Sequence, residues 1–230
     1  MKNITQQGLY SHWQKILAHQ QNDFRSIAIT ELITKYLDAS IPLADLGCGT
    51  GIQSVFLNKK GFNVTGFDIS NEMISMAISY AKLNRIKKLK FFNKSLKQLS
   101  EGKKQFKQAI CLDVLEHIKD DEKAIKEIYS LMINGGKLVL SVPAHQHLFG
   151  QKDKAIGHYR RYSYDEIKIK IENAGFTIEK IFYWNFIGYL AVSLNKRIKK
   201  ESINESFRKS NKVTDIILQS ILKKWFLLIE

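Results

Sequence analysis

Cysteine is scarce in this 230-residue chain, which contains only Cys48 and Cys111. Two cysteines in a chain of this length do not form a disulfide framework, so the sequence indicates a protein of a reducing, cytoplasmic compartment. The cysteines and histidines also lack the spacing of a metal site, and we predict no bound metal. Residues 1–20 contain no apolar run, and we expect no secretory signal there.

Acidic residues are also few, with 22 against 36 lysines and arginines, and the formal net charge is +14. The excess is local, because residues 82–107 hold ten basic residues and one acid, while residues 196–230 hold nine and four. Such surfaces attract nucleic acid, anionic membranes or acidic substrates. The same excess also arises from lysines spread over solvated faces, so charge alone does not choose between these alternatives.

Long apolar runs are missing as well. The segment 181–194 is mostly apolar, but its 14 residues fall short of the roughly 20 that span a bilayer. Residues 216–229 predict a helix with a broad apolar face beside lysines and Trp225. That pattern suits an interfacial helix on anionic lipid and equally suits packing on a protein surface. We therefore predict a helical, basic and amphipathic extension over residues 186–230, with peripheral contact to the inner membrane face as one alternative.

The most informative stretch is residues 43–51, Leu-Ala-Asp-Leu-Gly-Cys-Gly-Thr-Gly. A short apolar run leads into a loop with glycine at every second position, and a helical pattern follows at once. Without a Cβ, glycine allows unusual dihedrals and lets a ligand lie against bare backbone. The N-terminus of the next helix favours a carboxylate or phosphate. These are the parts of a nucleotide-type cofactor site.

Predicted strands alternate with predicted helices along the chain. The strands end at residues 47, 68, 92, 112 and 142, and the aromatic segment 176–184 predicts a sixth strand. This alternation predicts an α/β domain with a doubly wound, mostly parallel sheet flanked by helices. We assign residues 1–185 to that domain, with residues 1–40 as N-terminal helices that form a lid. Ligands of such sheets bind outside the carboxyl ends of the strands.

An acid stands where the second strand ends. Asp68 lies 17 residues beyond Gly51, and an acid at this position can accept hydrogen bonds from both hydroxyls of a ribose. A nicotinamide-dependent dehydrogenase shares these features, but its fingerprint is G-x-G-x-x-G. Here glycines occupy positions 47, 49 and 51, and position 52 is Ile52. The spacing therefore departs from the dinucleotide pattern.

Four segments together closely resemble the class I S-adenosylmethionine-dependent methyltransferases, in the small-molecule branch that includes quinone-biosynthesis enzymes. Residues 45–51 look like the first motif of that family and residues 66–70 look like the second. Residues 113–118, Asp-Val-Leu-Glu-His-Ile, are similar to the segment after strand four, and residues 134–140 to the turn into strand five. The resemblance covers residues 22–185 and implies a Rossmann-like methyltransferase sheet with S-adenosylmethionine as cofactor.

A further likeness, at residues 142–144 and 157–163, is to a bacterial subgroup. Members of that subgroup often accompany glycosyltransferases of cell-surface polysaccharide or lipid-linked sugar pathways. Family members usually continue into a final strand of the sheet, and the segment up to Glu230 shows no such pattern. We therefore expect either a sheet without its final edge strand or a truncated form of the chain.

The resemblance also implies how the cofactor site is divided. Asp45 and the backbone of residues 47–51 would hold the methionyl part, Asp68 the ribose, and Ile69 one face of the adenine. Ser95 stands where the family usually has an acid, but its hydroxyl can still bond the exocyclic amine. The complete set implied by the resemblance is Asp45, Gly47, Cys48, Gly49, Gly51, Asp68, Ile69, Ser95, Leu96, Leu112 and Asp113.

Catalysis by such an enzyme depends mainly on alignment, because a sulfonium is an activated methyl donor. A base is required only when the acceptor must lose a proton. His117 is our candidate base, since it lies just past strand four and histidine titrates near neutral pH. His158 is a second candidate. The alternative for His117 is that it caps a helix or lines the pocket.

The segment after strand five carries the candidate acceptor contacts. Guanidinium forks suit a phosphate or carboxylate, so we predict that this segment clamps the acceptor. Alternatively, Arg161 bridges carbonyls or Asp165. Position in the family also suggests that His12, Trp13 and Arg25 close over the cofactor as a lid. The predicted acceptor set is His145, Tyr159, Arg160, Arg161 and Tyr162, and His145 and His147 are further candidates for the base.

Taken together, these features predict an enzyme that transfers a methyl group to a small or lipid-linked acceptor, such as a sugar, a polyprenyl chain or a quinone-like ring. The net charge of +14 motivates an RNA or protein methyltransferase as an alternative. Against that alternative, the chain carries no N-P-P-Y-type segment after strand four, and we expect no nucleic-acid partner. A third possibility is a protein that binds the cofactor without turnover.

Overall fold

Five strands and seven α-helices alternate along the described part of the chain, which comprises residues 24–102 and 105–184 of a computed structural model. The strands are β1 (Leu43–Leu46), β2 (Val64–Asp68), β3 (Lys90–Asn93), β4 (Phe106–Leu112) and β5 (Met132–Ser141). The helices are α1 (Phe24–Tyr36), α2 (Ile52–Lys59), α3 (Asn71–Leu83), α4 (Leu96–Ser100), α5 (Asp121–Leu131), α6 (Gln151–Ala155) and α7 (Tyr164–Asn173). Short 3-10 turns lie at Leu115–His117 and Gln146–Leu148.

The five strands form one parallel sheet in the order β3-β2-β1-β4-β5. Leu43 of β1 pairs with Val64 of β2 on one side and with Gln108 of β4 on the other. The strand order reverses between β1 and β4, so the crevice outside the carboxyl ends of these two strands is the switch point. The predicted doubly wound, mostly parallel sheet is confirmed.

Side-chain caps fix where several helices begin. Ser70 accepts the backbone N–H of Met73 at 3.2 Å at the start of α3. Asp120 accepts that of Lys123 at 3.1 Å at the start of α5. Each bond satisfies an N–H that has no partner inside the helix. Ser70 and Asp120 are therefore the N-caps of α3 and α5.

The main hydrophobic core lies between the sheet and helices α5 and α7. Leu46, Ile125, Ile128 and Leu131 are at most 1% exposed, and burial of each such side chain contributes on the order of 2 kcal/mol. Gln108, near the N-terminal end of β4, is a buried polar residue that connects the sheet to the loop after α1. Its side chain accepts the N–H of Asp38 at 2.7 Å and donates to the Asp38 carbonyl at 2.8 Å. The loop after α1 is thereby tied to the sheet.

The edge strand β5, which pairs with β4, differs from the prediction. The sequence predicted a glycine turn before this strand and an end at residue 142, whereas the strand runs from Met132 to Ser141 and includes the glycine pair. Phe106 pairs with Met132 and Gln108 with Lys137, so several residues of β5 bulge out opposite one residue of β4. Gly135 adopts a φ of +73° within this bulge, which a residue with a side chain rarely does. Gly135 and Gly136, which predicted a turn, therefore lie in a bulge of β5.

The predicted sixth strand over residues 176–184 is wrong, because this segment has no strand structure. Its apolar pattern is satisfied by packing instead of by ladder hydrogen bonds. The ring of Phe176 meets Tyr129 of α5 edge-on, with centroids 5.0 Å apart, and Ile181 packs against the main core. Glu179 pairs with Lys137 at 3.3 Å.

Several predictions concern residues outside the described part of the chain. The amphipathic extension over residues 186–230 and the contribution of His12 and Trp13 to a lid are among them. The domain boundary at residue 185 likewise stays a prediction. Within the described ranges, no helix combines the length and the apolar character needed to cross a membrane.

Candidate functional site

The glycine loop between β1 and α2 is held against the end of β2. The N–H groups of Gly47 and Cys48 both donate to the Phe67 carbonyl, at 2.8 and 2.9 Å. Gly47, Gly49 and Gly51 have φ values of +77°, +51° and +74°. A Cβ on Gly47 would lie 2.4 Å from Val114 Cγ2, whereas a Cβ on Gly49 would meet nothing within 4 Å. Gly47 is therefore required by packing, and Gly49 presents bare backbone to open space.

Asp68 connects this loop to the next helix. One carboxylate oxygen accepts the Gly49 N–H at 2.9 Å, and the other accepts the Ser70 N–H at 2.9 Å. Each oxygen has further lone pairs, so the carboxylate can still receive two hydroxyl groups. Asn93 holds the backbone by donating to the Asp68 and Ile69 carbonyls at 3.1 and 2.7 Å. The side chain of Ile69 is 75% exposed and can cover the face of a base.

These residues fit the cofactor that the resemblance implies. The open backbone at Gly49 can receive the methionyl part, the two oxygens of Asp68 match the two hydroxyls of a ribose, and the exposed Ile69 provides an apolar face for adenine. All three lie at the carboxyl ends of adjacent strands. The loop, the acid and the apolar residue are thus brought together as predicted, while their contacts with a ligand stay a prediction.

Two members of the predicted set lie beneath the loop. Asp45 is 2% exposed and accepts the Ser54 hydroxyl at 2.6 Å. Burial raises the pKa of Asp45 to about 6, against the opposing effect of the Ser54 hydrogen bond. Cys48 is also buried, and burial raises the pKa of its thiol. Both side chains are buried beneath the loop, and their predicted contact with the methionyl part stays a prediction.

The predicted adenine contact of Ser95 has a competing role. The Ser95 hydroxyl accepts the Gln98 N–H at 3.2 Å, and the Gln98 side chain accepts the Ser95 N–H at 2.9 Å. This reciprocal pair is a capping box at the start of α4. Leu96, the next residue, packs against the main core. Sequence reasoning missed the capping box, although Ser95 and Gln98 have the spacing that predicts it.

The end of β4 is shaped by Asp113, the residue after Leu112. Asp113 has a φ of +54°, which only a residue held by its surroundings retains. Its N–H donates to the Ser141 carbonyl at 2.9 Å, and the Ser141 hydroxyl donates to its carboxylate at 3.2 Å. The guanidinium of Arg25 forms an ion pair with the other carboxylate oxygen. Of the predicted lid residues, Arg25 therefore reaches the switch point from α1.

Both candidate bases lie in one cluster with Glu116, which sequence reasoning did not assign. The rings of His117 and His158 meet edge-on with centroids 4.6 Å apart. His158 Nε2 lies 3.8 Å from Glu116 Oε1, and His158 Nδ1 lies 3.3 Å from Asp153 Oδ1. Burial lowers the pKa of His158, with a further contribution from His117. One ligand-type atom from each of Glu116, His117 and His158 lies within 4.8 Å of the others, which a cation could bridge.

Glu116 is the most unusual group in this cluster. It is 1% exposed, and neither carboxyl oxygen has a hydrogen-bond partner among the described residues. Burial, reinforced by the nearby charge of Asp113, raises the pKa of Glu116 to about 8. Its backbone carbonyl accepts the N–H of Tyr159 at 2.8 Å. The carboxyl is therefore able to change its charge near neutral pH.

The predicted acceptor clamp requires correction, because both guanidiniums bind within the chain. Arg160 pairs with Asp121 at 2.7 Å and donates to the Lys119 carbonyl at 2.7 Å. Arg161 binds Asp153 through Nε and Nη2 at 2.9 and 2.8 Å, and its Nη1 donates to the Ala144 carbonyl at 3.4 Å. The alternative of a carbonyl contact therefore holds, with Asp153 in place of Asp165 as the acidic partner. These carboxylates were buried partners that a sequence pattern does not reveal.

The aromatic members of the same segment divide between core and surface. Tyr162 is 1% exposed and donates its hydroxyl to Asp121 at 2.8 Å, so it does not line a binding surface. Tyr159 is 55% exposed and remains available to an acceptor. His145 adopts a φ of +67°, and its ring lies 5.4 Å from that of His147. Among the predicted acceptor contacts, Tyr159 is thus the exposed side chain, whereas both arginines are bound within the chain.

Comparison with known proteins places these features in a family. A model of the methyltransferase domain matches residues 17–181. Ubiquinone biosynthesis O-methyltransferase of Rickettsia bellii is 29% identical over 191 residues, covering 75% of this chain and 79% of that protein. The enzyme of the same name from Coxiella burnetii is 32% identical over 112 residues, covering 46% and 47%.

Solved structures show the same fold. An S-adenosylmethionine-dependent methyltransferase from Mesorhizobium loti superimposes with a TM-score of 0.58 at 15% identity, covering 72% of this chain and 91% of that one. Magnesium protoporphyrin IX methyltransferase from Synechocystis, solved with bound SAH, gives a TM-score of 0.52 at 23% identity and covers 72% and 75%.

Proposed function

The chain belongs to the methyltransferase-domain family, and from that membership we propose that it transfers a methyl group from S-adenosylmethionine to a small acceptor molecule. The observation that carries the proposal is the hydrogen bond at 2.9 Å from the Gly49 N–H to Asp68. It joins an open stretch of glycine backbone to a carboxylate with free acceptor capacity, at the switch point of a parallel sheet.

In this proposal each part of the site has one task. S-adenosylmethionine, when bound, supplies a methyl group on a positively charged sulfur. The backbone at Gly49 and the carboxylate of Asp68 hold and orient the donor, and Ile69 excludes water from one face of its base. The enzyme holds the donor and the acceptor next to each other in the orientation needed for reaction. For an activated donor, this proximity and orientation are the main source of rate acceleration.

We further propose a planar acceptor with a quinone-like or phenolic ring. The two curated relatives are named for an O-methyltransferase reaction in ubiquinone biosynthesis. The exposed ring of Tyr159 next to the Glu116 cluster supports this choice, because an aromatic face suits a flat acceptor. Acceptors linked to a sugar or polyprenyl chain are the second candidate, from the likeness of residues 157–163 to the bacterial subgroup.

We also propose a cytoplasmic enzyme that works at an anionic membrane surface. The stretch from the end of α3 to α4 supports this, because its basic side chains are exposed in the described residues. They are Lys82, Arg85, Lys87, Lys88, Lys90, Lys94 and Lys97. Sedimentation with phosphatidylglycerol vesicles should capture the protein, and phosphatidylcholine vesicles should not. Equal behaviour with both lipids would contradict this part of the proposal.

Calorimetric titration of the full chain with S-adenosylmethionine tests the central proposal. We expect a single binding site, followed by transfer of labelled methyl groups to simple dihydroxylated aromatic acids. Folded protein that binds no S-adenosylmethionine would refute the assignment. Binding without transfer to any acceptor pool, including lipid extracts and RNA, would favour the alternative of a cofactor-binding protein without turnover.

A further inference from the structure

Asn93 ends β3 directly opposite the acid of the candidate cofactor site. It pairs in register with Asp68, the last residue of β2. Its side-chain amide donates to the Asp68 carbonyl at 3.1 Å and to the Ile69 carbonyl at 2.7 Å. Asn93 is exposed, so these two bonds are made at the open carboxyl edge of the sheet and not inside the core. One side chain therefore connects β3 to the two residues that we assign to the ribose and the base.

The two carbonyls fix which way round the amide of Asn93 lies. An asparagine side chain has an NH2 group that only donates and an oxygen that only accepts. Rotation of the amide by half a turn would place its oxygen against the carbonyl oxygens of Asp68 and Ile69, where no hydrogen is available. The NH2 group therefore stays on the protein side. The oxygen is left as an acceptor, and no described residue donates a hydrogen bond to it.

The order of the strand ends gives a bound nucleoside one direction. The proposed site holds the methionyl part at Gly49, after β1, and the ribose at Asp68, after β2. The base is attached to the opposite side of the ribose from the methionyl part, so it extends away from β1. The next strand in that direction is β3, and adjacent strands lie about 4.8 Å apart. The base therefore reaches the end of β3, where Asn93 lies.

Ser95, the residue that the family resemblance implies for the adenine contact, has its hydroxyl engaged at the start of α4. The hydroxyl accepts the Gln98 N–H at 3.2 Å and donates to the Gln98 side-chain oxygen at 3.3 Å. The same oxygen of Gln98 accepts the Ser95 N–H at 2.9 Å. The hydroxyl is thus oriented by the helix cap and not by the site. The oxygen of Asn93, with both lone pairs available, is the better acceptor for a ligand amine.

We propose that Asn93 recognises the 6-amino group of the adenine, by accepting one of its hydrogens at the side-chain oxygen. This inference rests on the proposed function, and it adds selection of the base to the ribose contact of Asp68. A 6-amino purine presents a donor to the locked oxygen. A 6-oxo purine presents an acceptor, and the amide cannot turn over to meet it because two carbonyls hold its NH2 group. The site thereby selects adenine nucleosides over their deaminated forms.

Loss of the Asn93 side chain should leave the ribose site in place. The Asp68 carbonyl also accepts the Lys94 N–H at 3.0 Å, so β2 and β3 stay connected at this point. The Asp68 carboxylate is held separately, by the N–H groups of Gly49 and Ser70 at 2.9 Å each. A variant at Asn93 therefore tests recognition of the base with the ribose contact retained.

Calorimetric titration with two ligands tests the inference. S-adenosylhomocysteine carries an amine at position 6 of the purine, and S-inosylhomocysteine carries an oxygen there. We expect the wild type to bind the adenosyl compound about 30-fold more tightly, and Asn93→Ala to reduce this ratio to about 3 by weakening the adenosyl compound. Ser95→Ala, the matched control, should keep the wild-type ratio. A wild-type ratio in Asn93→Ala, or a collapse of the ratio in Ser95→Ala, would overturn the inference.

The same titrations separate this inference from the proposed function. Folded wild-type protein that binds neither compound would contradict the proposed function, and this inference with it. Wild-type protein that binds both compounds equally well, and still transfers methyl groups, would contradict recognition of the amine alone. Asp68→Ala should weaken both compounds by the same factor, so it shows how a loss of affinity without a loss of selectivity appears.

Carbon NMR of the wild type gives a reading that depends on no variant. The Cγ signal of Asn93, assigned through its own NH2 protons, should shift when S-adenosylhomocysteine is added, because the attached oxygen gains a hydrogen bond. It should shift much less with S-inosylhomocysteine. The NH2 protons should keep their positions in both complexes, since they stay bonded to the carbonyls of Asp68 and Ile69. A Cγ signal that responds equally to the two ligands would overturn the inference.

Discussion

Asp68 accepts the backbone N–H of Gly49 at 2.9 Å, so the acid that ends β2 and the loop that follows β1 are one structural unit. The same carboxylate also holds the N–H of Ser70, the cap of α3. A single side chain therefore sets the position of the loop and of the next helix, and still presents two oxygens to a ligand.

Asp68→Ala should weaken S-adenosylmethionine binding about 100-fold, because loss of two hydrogen bonds to a charged group costs about 3 kcal/mol in total. Calorimetry measures the change, and Asp165→Ala, at an exposed acid of α7, should bind as the wild type does. Asp68→Asn should lose less, since its amide retains one acceptor oxygen. Unchanged affinity in Asp68→Ala would contradict the ribose assignment.

Gly47→Ala should lower the free energy of unfolding by about 3 kcal/mol, through backbone strain and overpacking. The new Cβ would lie 2.4 Å from Val114 Cγ2 at a φ of +77°. Urea denaturation gives the value. Gly61→Ala controls for strain alone, because Gly61 has a φ of +94° with nothing within 4 Å of the added Cβ. A double variant with Val114→Ala should recover part of the loss, and equal loss in the two single variants would refute the packing explanation.

Asp121 should contribute to stability above the acidic range and lose that contribution as the pH falls. Burial alone would raise the pKa of Asp121, but hydrogen bonds from Lys170, Arg160 and Tyr162 together outweigh it and lower the pKa. A carboxyl with a lowered folded-state pKa binds fewer protons than in the unfolded chain, so acid favours unfolding.

Asp121→Ala should therefore cost about 3 kcal/mol at neutral pH, and the difference from wild type should shrink in acid. Denaturation curves at a series of pH values measure both effects. Asp120→Ala, which removes the cap of α5, should cost about 1 kcal/mol with a weaker pH dependence. A constant difference between Asp121→Ala and wild type across the series would be inconsistent with an ionised Asp121.

Cys48 and Cys111 should not react with Ellman's reagent in the folded protein. Both thiols are free and buried, and burial raises the pKa of each, so little thiolate forms. Both should react at once in guanidinium chloride, which serves as the control. Rapid labelling of one thiol under native conditions would show that the loop around Cys48 or the strand around Cys111 opens readily.

The sequence predicted correctly those structural features that depend on residues close together along the chain. The loop at residues 47–51, the acid at Asp68 and the parallel sheet follow from local glycine spacing, strand ends and helix periodicity. Membership of the methyltransferase family was likewise recognisable from these segments. Their geometry depends on contacts between consecutive strands, which the fold class already determines.

The parts that the sequence did not predict depend on contacts between distant segments. Arg161 carries no signal that its partner is Asp153, because a buried ion pair leaves no periodic pattern. The aromatic residues of 176–184 favoured a strand, yet Phe176 packs against Tyr129 of α5. In both cases tertiary packing decided the outcome against a plausible local preference.

The segment between β5 and α7 is closed at its base, where Ala144 and Tyr162 form an isolated bridge and His145 donates its N–H to the Tyr162 carbonyl at 2.9 Å. Exposed positions within residues 146–157 can therefore vary without disturbing the sheet or the glycine loop, because the contacts between Ala144, His145 and Tyr162 fix both ends of the segment. Asp153, which is buried and binds Arg161, is the position in this range that should resist change. Acceptor preference can therefore diverge among related enzymes while the binding of the methyl donor stays constant.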